Sequence, residues 1–449
     1  MQIGRKDVLW SYAATFLRIG AGVILLPFIL RAFPQETVAV WTIFMTIIAL
    51  SSMLDFGFNP SFARNVSYVV SGVKELKETG HEIVENTNCK IDYGLLKGLI
   101  NAMRWFYGRT ALILFVLLIT AGTYYITVIL RIYSYNHTEV YIAWAILCII
   151  NSYSLYTMYY DSLLQGQGLI MKARQIQVVG EFAFLLTAII LILLNFSLIA
   201  VVSAQALSII IRRILSYYTI YTANFKQHLR SVVAQSRKEI LKLISPNAVK
   251  LGLTGLGGFL ITRSAIIIGS LYLSLDTIAS FGITMQIVAI IGGLATVYFT
   301  AYNPKIAQYR AQNNIVEIKR IYLKTCLLLF GTFVFCGIFL LGLGDWVLSA
   351  IGSQTPLLPK FLIATALLVV FLEANHATAG GFLLTKNEVP FFKASLISGA
   401  ATVLLLFVFL GYAQMGVWGM ILAPGIAQIC YQNWKWPMVV VKELKIFTK

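Results

Sequence analysis

Two arginines lie inside apolar runs of this 449-residue sequence. Arg18 follows the start of the first run by about ten residues, and Arg263 precedes the end of the seventh run by about ten. A charge near the middle of a bilayer costs at least roughly 2.5–3.5 kcal/mol, so each arginine should face a wet cavity or a partner. The planar guanidinium fork suits phosphate oxygens, which predicts an anion clamp. The alternative is a structural ion pair with Glu373 or Glu181.

A carboxylate and an imidazole share one face of the tenth apolar run. Glu373 is thirteen residues from Lys360 and thirteen from Lys386, which places it about 20 Å from either end of a helix. His376 follows three residues later on the same helical face. An intramembrane acid beside a histidine predicts proton or sodium coupling, and a charge partner for one of the two arginines is the alternative.

Charged residues also lie at the predicted cytoplasmic ends of the runs. Lys250, in the seventh run, is either an entry residue for the clamp or a side chain that snorkels to the headgroups. Asp55 and Asp161 fall in the last turns of the second and fourth runs, where a carboxylate opposes the helix macrodipole. Each is expected to pair with a nearby cation: Arg64, Arg109 or Arg174. Asp55, Asp161 and Arg64 therefore predict either a cytoplasmic gate or static pairs at the interface.

The fourth apolar run also carries a row of polar aromatic side chains. Tyr153, Tyr156 and Tyr160 are predicted to share one face with the nearby Asn151. Such a face could stack against sugar rings and line a path for a glycan. Packing of the same tyrosines against neighbouring helices is the alternative.

The composition requires these side chains to be held by membrane helices. The sequence is 59% hydrophobic and only 12% charged, with a mean hydropathy of +0.80, whereas soluble domains are roughly a quarter charged. The net charge of +17 comes from residues between apolar runs, which favours an anionic leaflet over nucleic acid. The cysteine and histidine spacings predict no metal site, and no P-loop sequence is present, so we expect neither a cofactor nor direct use of ATP.

Twelve apolar runs are long enough to cross a bilayer as helices. They cover approximately 8–30, 37–58, 108–130, 140–163, 175–194, 197–221, 246–273, 277–301, 323–345, 360–384, 391–412 and 415–434. With the N-terminus inside, 28 of the 35 Lys and Arg residues fall in cytoplasmic segments and three fall outside. This asymmetry predicts a multi-pass protein with both termini and a polar insertion at 73–95 in the cytoplasm.

The sequence contains an internal repeat. Asn59-Pro60 follows the second run and Asn303-Pro304 follows the eighth, an offset of 244. In each, the residue before proline is expected to leave helical geometry and the proline to open the next helix. Behind Pro60, apolar residues at helical spacing predict a short helix in the inner interface. The repeat predicts two six-helix bundles, at 1–222 and 244–449, joined by a cytoplasmic linker at 223–243.

The two six-helix halves, the short outer loops, Arg18 in the first helix and the segment LDFGFNPSFAR (Leu54 to Arg64) resemble the Wzx-type oligosaccharide-lipid flippases. These belong to the multidrug/oligosaccharidyl-lipid/polysaccharide exporter superfamily. The resemblance implies an all-α, MATE-like, V-shaped pair of pseudo-symmetric bundles around a central cavity. It also implies outward movement of undecaprenyl-pyrophosphate-linked oligosaccharide across a bacterial inner membrane, for O-antigen, lipopolysaccharide or capsule-like polysaccharide biosynthesis.

The substrate that the resemblance implies would place a pyrophosphate between Arg18 and Arg263. The expected partners are the lipid-linked oligosaccharide, membrane lipids and other polysaccharide-assembly membrane proteins. A MATE-like exporter of drugs or small cations is the main alternative, although two mid-membrane arginines would repel cations. A membrane glycan polymerase or ligase is a further alternative, but the longest predicted outer segment, about 345–360, offers Asp345 and little else. We therefore expect a transporter and not an enzyme.

Overall fold

The computed structural model describes residues 5–76, 91–312, 314–385 and 390–446. Throughout these residues the regular structure is helical. The helices are α1 (Arg5–Ala32), α2 (Gln35–Met53), α3 (Phe58–Val70), α4 (Tyr93–Leu117), α5 (Thr123–Leu130), α6 (His137–Tyr156), α7 (Tyr159–Gly166), α8 (Ile170–Leu193), α9 (Leu198–Ile220), α10 (Ala223–Arg230), α11 (Arg237–Gly269), α12 (Leu275–Ala295), α13 (Val297–Ala311), α14 (Ile315–Ile351), α15 (Lys360–Leu384), α16 (Phe392–Phe407), α17 (Val417–Ile429) and α18 (Gln432–Glu443). Single π-helical turns continue α4 into α5 and extend α16 to Tyr412.

Ten stretches of the described chain are helices long and apolar enough to cross a membrane, so this is a multi-pass membrane protein. They correspond to the second through the eleventh predicted spans. The first predicted span lies in α1, a 28-residue helix whose part Gly20–Ala32 is apolar. The twelfth begins with α17, a helix of only 13 residues, and continues after a short interruption as α18. The all-α polytopic class is confirmed.

Some helices begin before the apolar runs, because a polar side chain caps an earlier N-terminus. The α4 helix begins at Tyr93, well before the predicted start, and the Asp92 carboxylate accepts the Leu95 N–H at 2.9 Å. The α14 helix likewise begins after Asn314, whose side chain accepts the Glu317 N–H. Such caps satisfy N–H groups that have no partner within the helix. Hydropathy alone does not register these polar first turns.

The turn between α2 and α3 differs from the predicted proline break. Gly57 caps α3 in the left-handed region at φ 70°, and Phe56 before it has φ 46°. Asn59 and Pro60 already lie in the first turn of α3, where a proline costs no hydrogen bond. The expected non-helical residue before the proline was therefore wrong. The same expectation fails for Asn303, because positions 303 and 304 lie in the middle of α13 and the break precedes Val297.

The predicted short helix after the second span is present as α3, which packs against α7, and its place in the inner interface stays a prediction. Phe62, Val66 and Val69 are buried along one side of it. A Cβ at Gly166 of α7 would lie 2.4 Å from the Val66 Cβ, so only glycine permits this approach. The two short helices therefore pack closely against each other.

The described chain divides into two compact units. The first unit contains residues up to 32 and 47–255, and the second contains 33–46 and 256–449. In the first, α8 packs against α1 and α9. In the second, α15 packs against α18 and α16 packs against α17. Both α2 and α11 contribute residues to each unit. Most of the predicted 73–95 insertion lies at 77–90, outside the described residues.

Candidate functional site

A polar group in the second unit occupies the middle of α15, where the sequence predicted an intramembrane acid. Glu373 is partly buried there, with thirteen residues of helix before it and eleven after it. Its carboxylate lies beside the Gln428 amide of α17 and close enough to Arg263 of α11 for a favourable charge interaction. The described residues form four ion pairs, and an Arg263–Glu373 pair is not among them.

His376 is buried one turn beyond Glu373, and it is held by other residues. Its Nδ1 lies 2.8 Å from Asn433 Oδ1 of α18 and 3.3 Å from the Leu372 carbonyl oxygen. The tautomer decides which atom donates each bond. Among the described residues, this imidazole makes no hydrogen bond to the Glu373 carboxylate. The predicted coupling pair therefore occupies one helix face without a direct hydrogen bond.

The two polar atoms of the Gln428 side chain, Nε2 and Oε1, are buried without hydrogen-bond partners in the described chain. Gln432 Nε2 of α18 and Thr378 Oγ1 of α15 are also buried without partners there. The Gln428 amide thus lies beside Glu373 without forming a well-aligned hydrogen bond to it. Sequence reasoning missed Gln428, although two glutamines four residues apart in an apolar run were a usable signal.

The structure describes the side chain of only one of the two arginines in the predicted clamp. Arg263 is exposed on α11, six residues before the helix ends at Gly269, or about 9 Å along the axis. The backbone of Arg18 lies fourteen residues before the end of α1, so the two positions are not equally far from their helix ends. The side chains of Arg18 and Lys250 lie outside the described part of the chain. The clamp and the entry role of Lys250 stay predictions.

Asp55 has a different environment from the predicted one. It lies beyond the end of α2 and accepts the Asn59 N–H at 3.0 and 3.1 Å, at the positive N-terminus of α3. The Tyr107 hydroxyl donates to Asp55 Oδ1 at 2.6 Å. Burial raises the pKa of the Asp55 carboxyl, although the hydrogen bonds from Tyr107 and Asn59 lower it. The predicted cationic partner was wrong, because a helix N-terminus and a phenol take its place.

Asp161 also departs from the predicted arrangement. A break after Tyr156 places it in the first turn of α7 instead of the last turn of a longer helix. Its partner is Arg213 of α9, whose Nη1 donates to both carboxylate oxygens at 2.9 and 3.0 Å. None of the three predicted arginines supplies this contact. Arg64 is exposed on α3 and pairs with neither aspartate in the described chain. A gating role for these residues stays a prediction.

The predicted glycan face of the fourth span is not a single face. Asn151 is buried, whereas Tyr153 and Tyr156 are each 39% exposed. Residues 151 and 153 point in different directions because each residue turns an α-helix by about 100°. Tyr160 belongs to α7, beyond the break, and stacks obliquely on Tyr159 with ring centroids 4.4 Å apart. The common lining was wrong for Asn151, and a glycan-stacking role for the tyrosines stays a prediction.

Comparison with solved structures shows the fold. An inward-facing multidrug resistance MATE family transporter of the MOP superfamily matches with a TM-score of 0.63 and 17% identity, over 97% of this chain and 96% of that one. The lipid II flippase MurJ, in an inward closed conformation, matches with a TM-score of 0.63 and 16% identity, over 98% and 87%. A MOP superfamily transporter from Pyrococcus furiosus, described as having a binding pocket of reverse polarity, matches with a TM-score of 0.54 and 15% identity, over 99% and 96%.

No protein-family model matches the sequence, and a search of curated proteins gives no match. The three structures named above are two transporters of the MOP superfamily and a lipid II flippase. At these identities the likeness confirms the predicted MATE-like fold of the chain.

Proposed function

We propose that this protein is a flippase that moves undecaprenyl-pyrophosphate-linked oligosaccharide from the cytoplasmic to the periplasmic leaflet of a bacterial inner membrane. The product would feed the assembly of a surface polysaccharide. The observation that carries the proposal is Arg263, an exposed arginine within the membrane-spanning part of α11. A cation at that depth favours a substrate that brings negative charge into the membrane, as a pyrophosphate does.

The fold supports a transporter but does not choose between substrates, because a multidrug transporter and a lipid flippase match with the same TM-score. A MATE-like exporter of cations is the second candidate, and the partly buried Glu373 favours it. The two residues are close enough for their charges to interact, so the polarity of the site depends on which one meets the substrate. The proposed flippase uses the arginine for the anion and leaves Glu373 for a coupling proton or sodium ion.

Alternating access is the proposed mechanism. The pyrophosphate meets Arg263 and Arg18 while the protein is open to the cytoplasm, and the lipid tail remains in the bilayer. Outward movement of negative charge gains roughly 2.3 kcal/mol per charge per 100 mV of inside-negative potential, so ion coupling can supplement the driving force. The positive-inside count supports the proposed orientation, with both termini in the cytoplasm. The short α14–α15 connection, residues 352–359, carries no Asp, Glu, His or Cys, which argues against an outer-face glycan polymerase.

The test compares arginine variants in a deletion strain. Arg263→Ala should stop export, with lipid-linked oligosaccharide accumulating inside while the amount of membrane-inserted protein stays near normal. Arg263→Lys should recover part of the activity because it restores the charge but not the fork. Arg320→Ala is the matched control, since this arginine on α14 is 78% exposed and its ion pair among the described residues is with Glu317, one turn away.

The readouts are surface glycan, lipid-linked intermediate and protein abundance, measured for each variant. Full export by a well-expressed Arg18→Ala, Arg263→Ala double variant would exclude the clamp. Normal export by Arg263→Ala together with loss of cation efflux in Glu373→Gln would favour the MATE-like exporter.

A further inference from the structure

A polar cavity of about 560 Å³ lies within the first unit, among the ends of α7, α8 and α9. Its lining includes three arginines, namely Arg174 of α8 and the adjacent Arg212 and Arg213 of α9. Asp161 is the one carboxylate that lines it. By the positive-inside count, these helix ends are on the cytoplasmic side.

The three guanidinium groups differ in how well they are neutralised. Arg213 is paired with Asp161, as described above. The Arg212 Nη1 lies 3.7 Å from Glu181 Oε1, a looser contact. Arg174 donates to the neutral Gln177 side chain at 2.9 Å. Three cations thus meet two carboxylates, and Arg174 has no charged partner in the described chain.

Unused donors accompany this excess charge. The Arg213 side chain is only 10% exposed, and its Nε is buried without a hydrogen-bond acceptor in the described residues. A guanidinium group has five N–H donors, and the single contact of Arg174 leaves most of its donors available. Burying an arginine donor without an acceptor is costly, so an anion that supplies acceptors here would stabilise the unit.

The packing of α8 against α9 holds the arginines in place. A Cβ at Gly180 would lie 2.4 Å from the Arg212 Cγ, so the stem of Arg212 lies directly against the α8 backbone. The Ser208 hydroxyl donates to the Gly180 carbonyl oxygen at 2.8 Å and fixes the same crossing. The cavity is therefore built on two packed helices and not on a loop.

We propose that this cavity binds a phosphate group. Phosphate offers several charged acceptor oxygens to converging guanidinium forks, which match it better than a single lysine would. Apolar side chains also line the cavity, namely Leu164, Ile170, Ile176 and Ile209. Together with its place at the ends of membrane spans, they favour a phosphate carried on a lipid headgroup. The site does not depend on which substrate the protein transports.

The test measures ligand-induced thermal stabilisation of the purified full-length protein. The probes are phosphatidic acid in phosphatidylcholine nanodiscs and, separately, inorganic pyrophosphate in detergent. The wild-type melting temperature should rise with phosphatidic acid. Arg174→Gln should bind it about tenfold or more weakly, the loss expected for one charge-assisted hydrogen-bond donor. Arg174→Lys should fall between the two.

Lys172→Gln is the matched control, because it removes one positive charge from an exposed side chain two residues away on the same helix. It should bind like the wild type. Stabilisation by the lipid alone identifies a headgroup as the source, and equal stabilisation by pyrophosphate identifies a soluble phosphate. No stabilisation by either probe, or equal losses in Arg174→Gln and Lys172→Gln, would overturn the site.

Discussion

Two carboxylates of the first unit, Asp55 and Asp161, have closer hydrogen-bond partners than the intramembrane carboxylate of the second unit, Glu373. In the first unit, Asp161 has a doubly hydrogen-bonded arginine, and Asp55 has a phenol and a helix N-terminus. In the second, Glu373 has an amide that does not align with it and an arginine at a distance. Asp55 and Asp161 thus have their hydrogen-bond partners within the protein. The group around Glu373 keeps hydrogen-bonding atoms available for a ligand or an ion.

This difference separates residues that hold the structure from residues that are free to act on a ligand. A paired carboxylate at a helix end fixes the position of two elements, and loss of one partner leaves the other charge exposed to an apolar surrounding. A carboxylate in the middle of a span without a cation at ion-pair distance is costly, so its presence favours a functional role. The comparison therefore predicts a structural role for Asp161 and a functional role for Glu373, and variants of each residue test it.

The largest expected effect is on the Asp161–Arg213 pair. Asp161→Asn would leave the nearly buried Arg213 guanidinium with a neutral neighbour. Breaking a buried pair costs about 3–5 kcal/mol, but Asp161 is 40% exposed, so we expect a loss of about 2 kcal/mol in unfolding free energy. The measurement is reversible unfolding of the purified protein in detergent, followed by helical circular dichroism.

The double variant Asp161→Asn, Arg213→Gln provides the control, since it removes both charges. It should recover part of the loss. If Asp161→Asn unfolds like the wild type, the pair contributes nothing measurable and the structural half of the comparison fails.

A smaller effect is expected from the hydrogen bond between Tyr107 and Asp55. Tyr107→Phe removes the hydroxyl that donates at 2.6 Å to the buried carboxylate, at an expected cost of about 1–2 kcal/mol near neutral pH. Tyr124→Phe is the matched control because this tyrosine of α5 is 72% exposed. It should unfold like the wild type.

The effect of Tyr107→Phe should also depend on pH. Burial raises the folded-state pKa of Asp55 above the value of 3.8 expected when unfolded. A raised folded-state pKa means that the protonated acid favours the folded state. This contribution to the free energy of unfolding is complete below pH 3.8 and is lost as the pH rises through the folded-state pKa. Loss of the Tyr107 hydrogen bond raises that pKa further. The deficit of the variant should therefore be larger at pH 7 than at pH 4, and a deficit independent of pH would contradict the assigned ionisation.

The sequence predicted the helices well because apolar runs of membrane length have few alternatives in lipid. It predicted α15 at 360–384, the same bounds as the structure has. It also predicted α3 from apolar residues at helical spacing behind Pro60. The cost of leaving backbone groups without hydrogen bonds in a bilayer determines these elements locally, without reference to the rest of the chain.

The partners of individual side chains could not be predicted in the same way. Asp161 and Arg213 are 52 positions apart, as are Asp55 and Tyr107. Their contacts depend on how α4, α7 and α9 pack, which periodicity does not encode. Short breaks, such as the one after Tyr156, also moved Asp161 from the end of one helix to the start of another. A phenol and a helix N-terminus take the place of a cation beside Asp55.

The smallest expected effect on stability distinguishes the two regions most sharply. Glu373→Gln removes a charge from the middle of a span and leaves no close ion pair broken in the described chain, so the free energy of unfolding should stay within about 1 kcal/mol of the wild type. The new amide lies beside the Gln428 side chain, whose polar atoms have no hydrogen-bond partner in the described chain. If Glu373 carries the coupling ion, the same variant should abolish the dependence of transport on the pH or sodium gradient. Transport into vesicles with and without each gradient measures this, and Asp161→Asn in the same assay controls for loss of folded protein.

A Glu373→Gln protein as unstable as Asp161→Asn would show that Glu373 is a charge partner of an arginine, and the contrast between the units would disappear. Normal stability with unchanged gradient dependence would instead remove Glu373 from coupling and leave its charge interaction with Arg263 as its one assigned role.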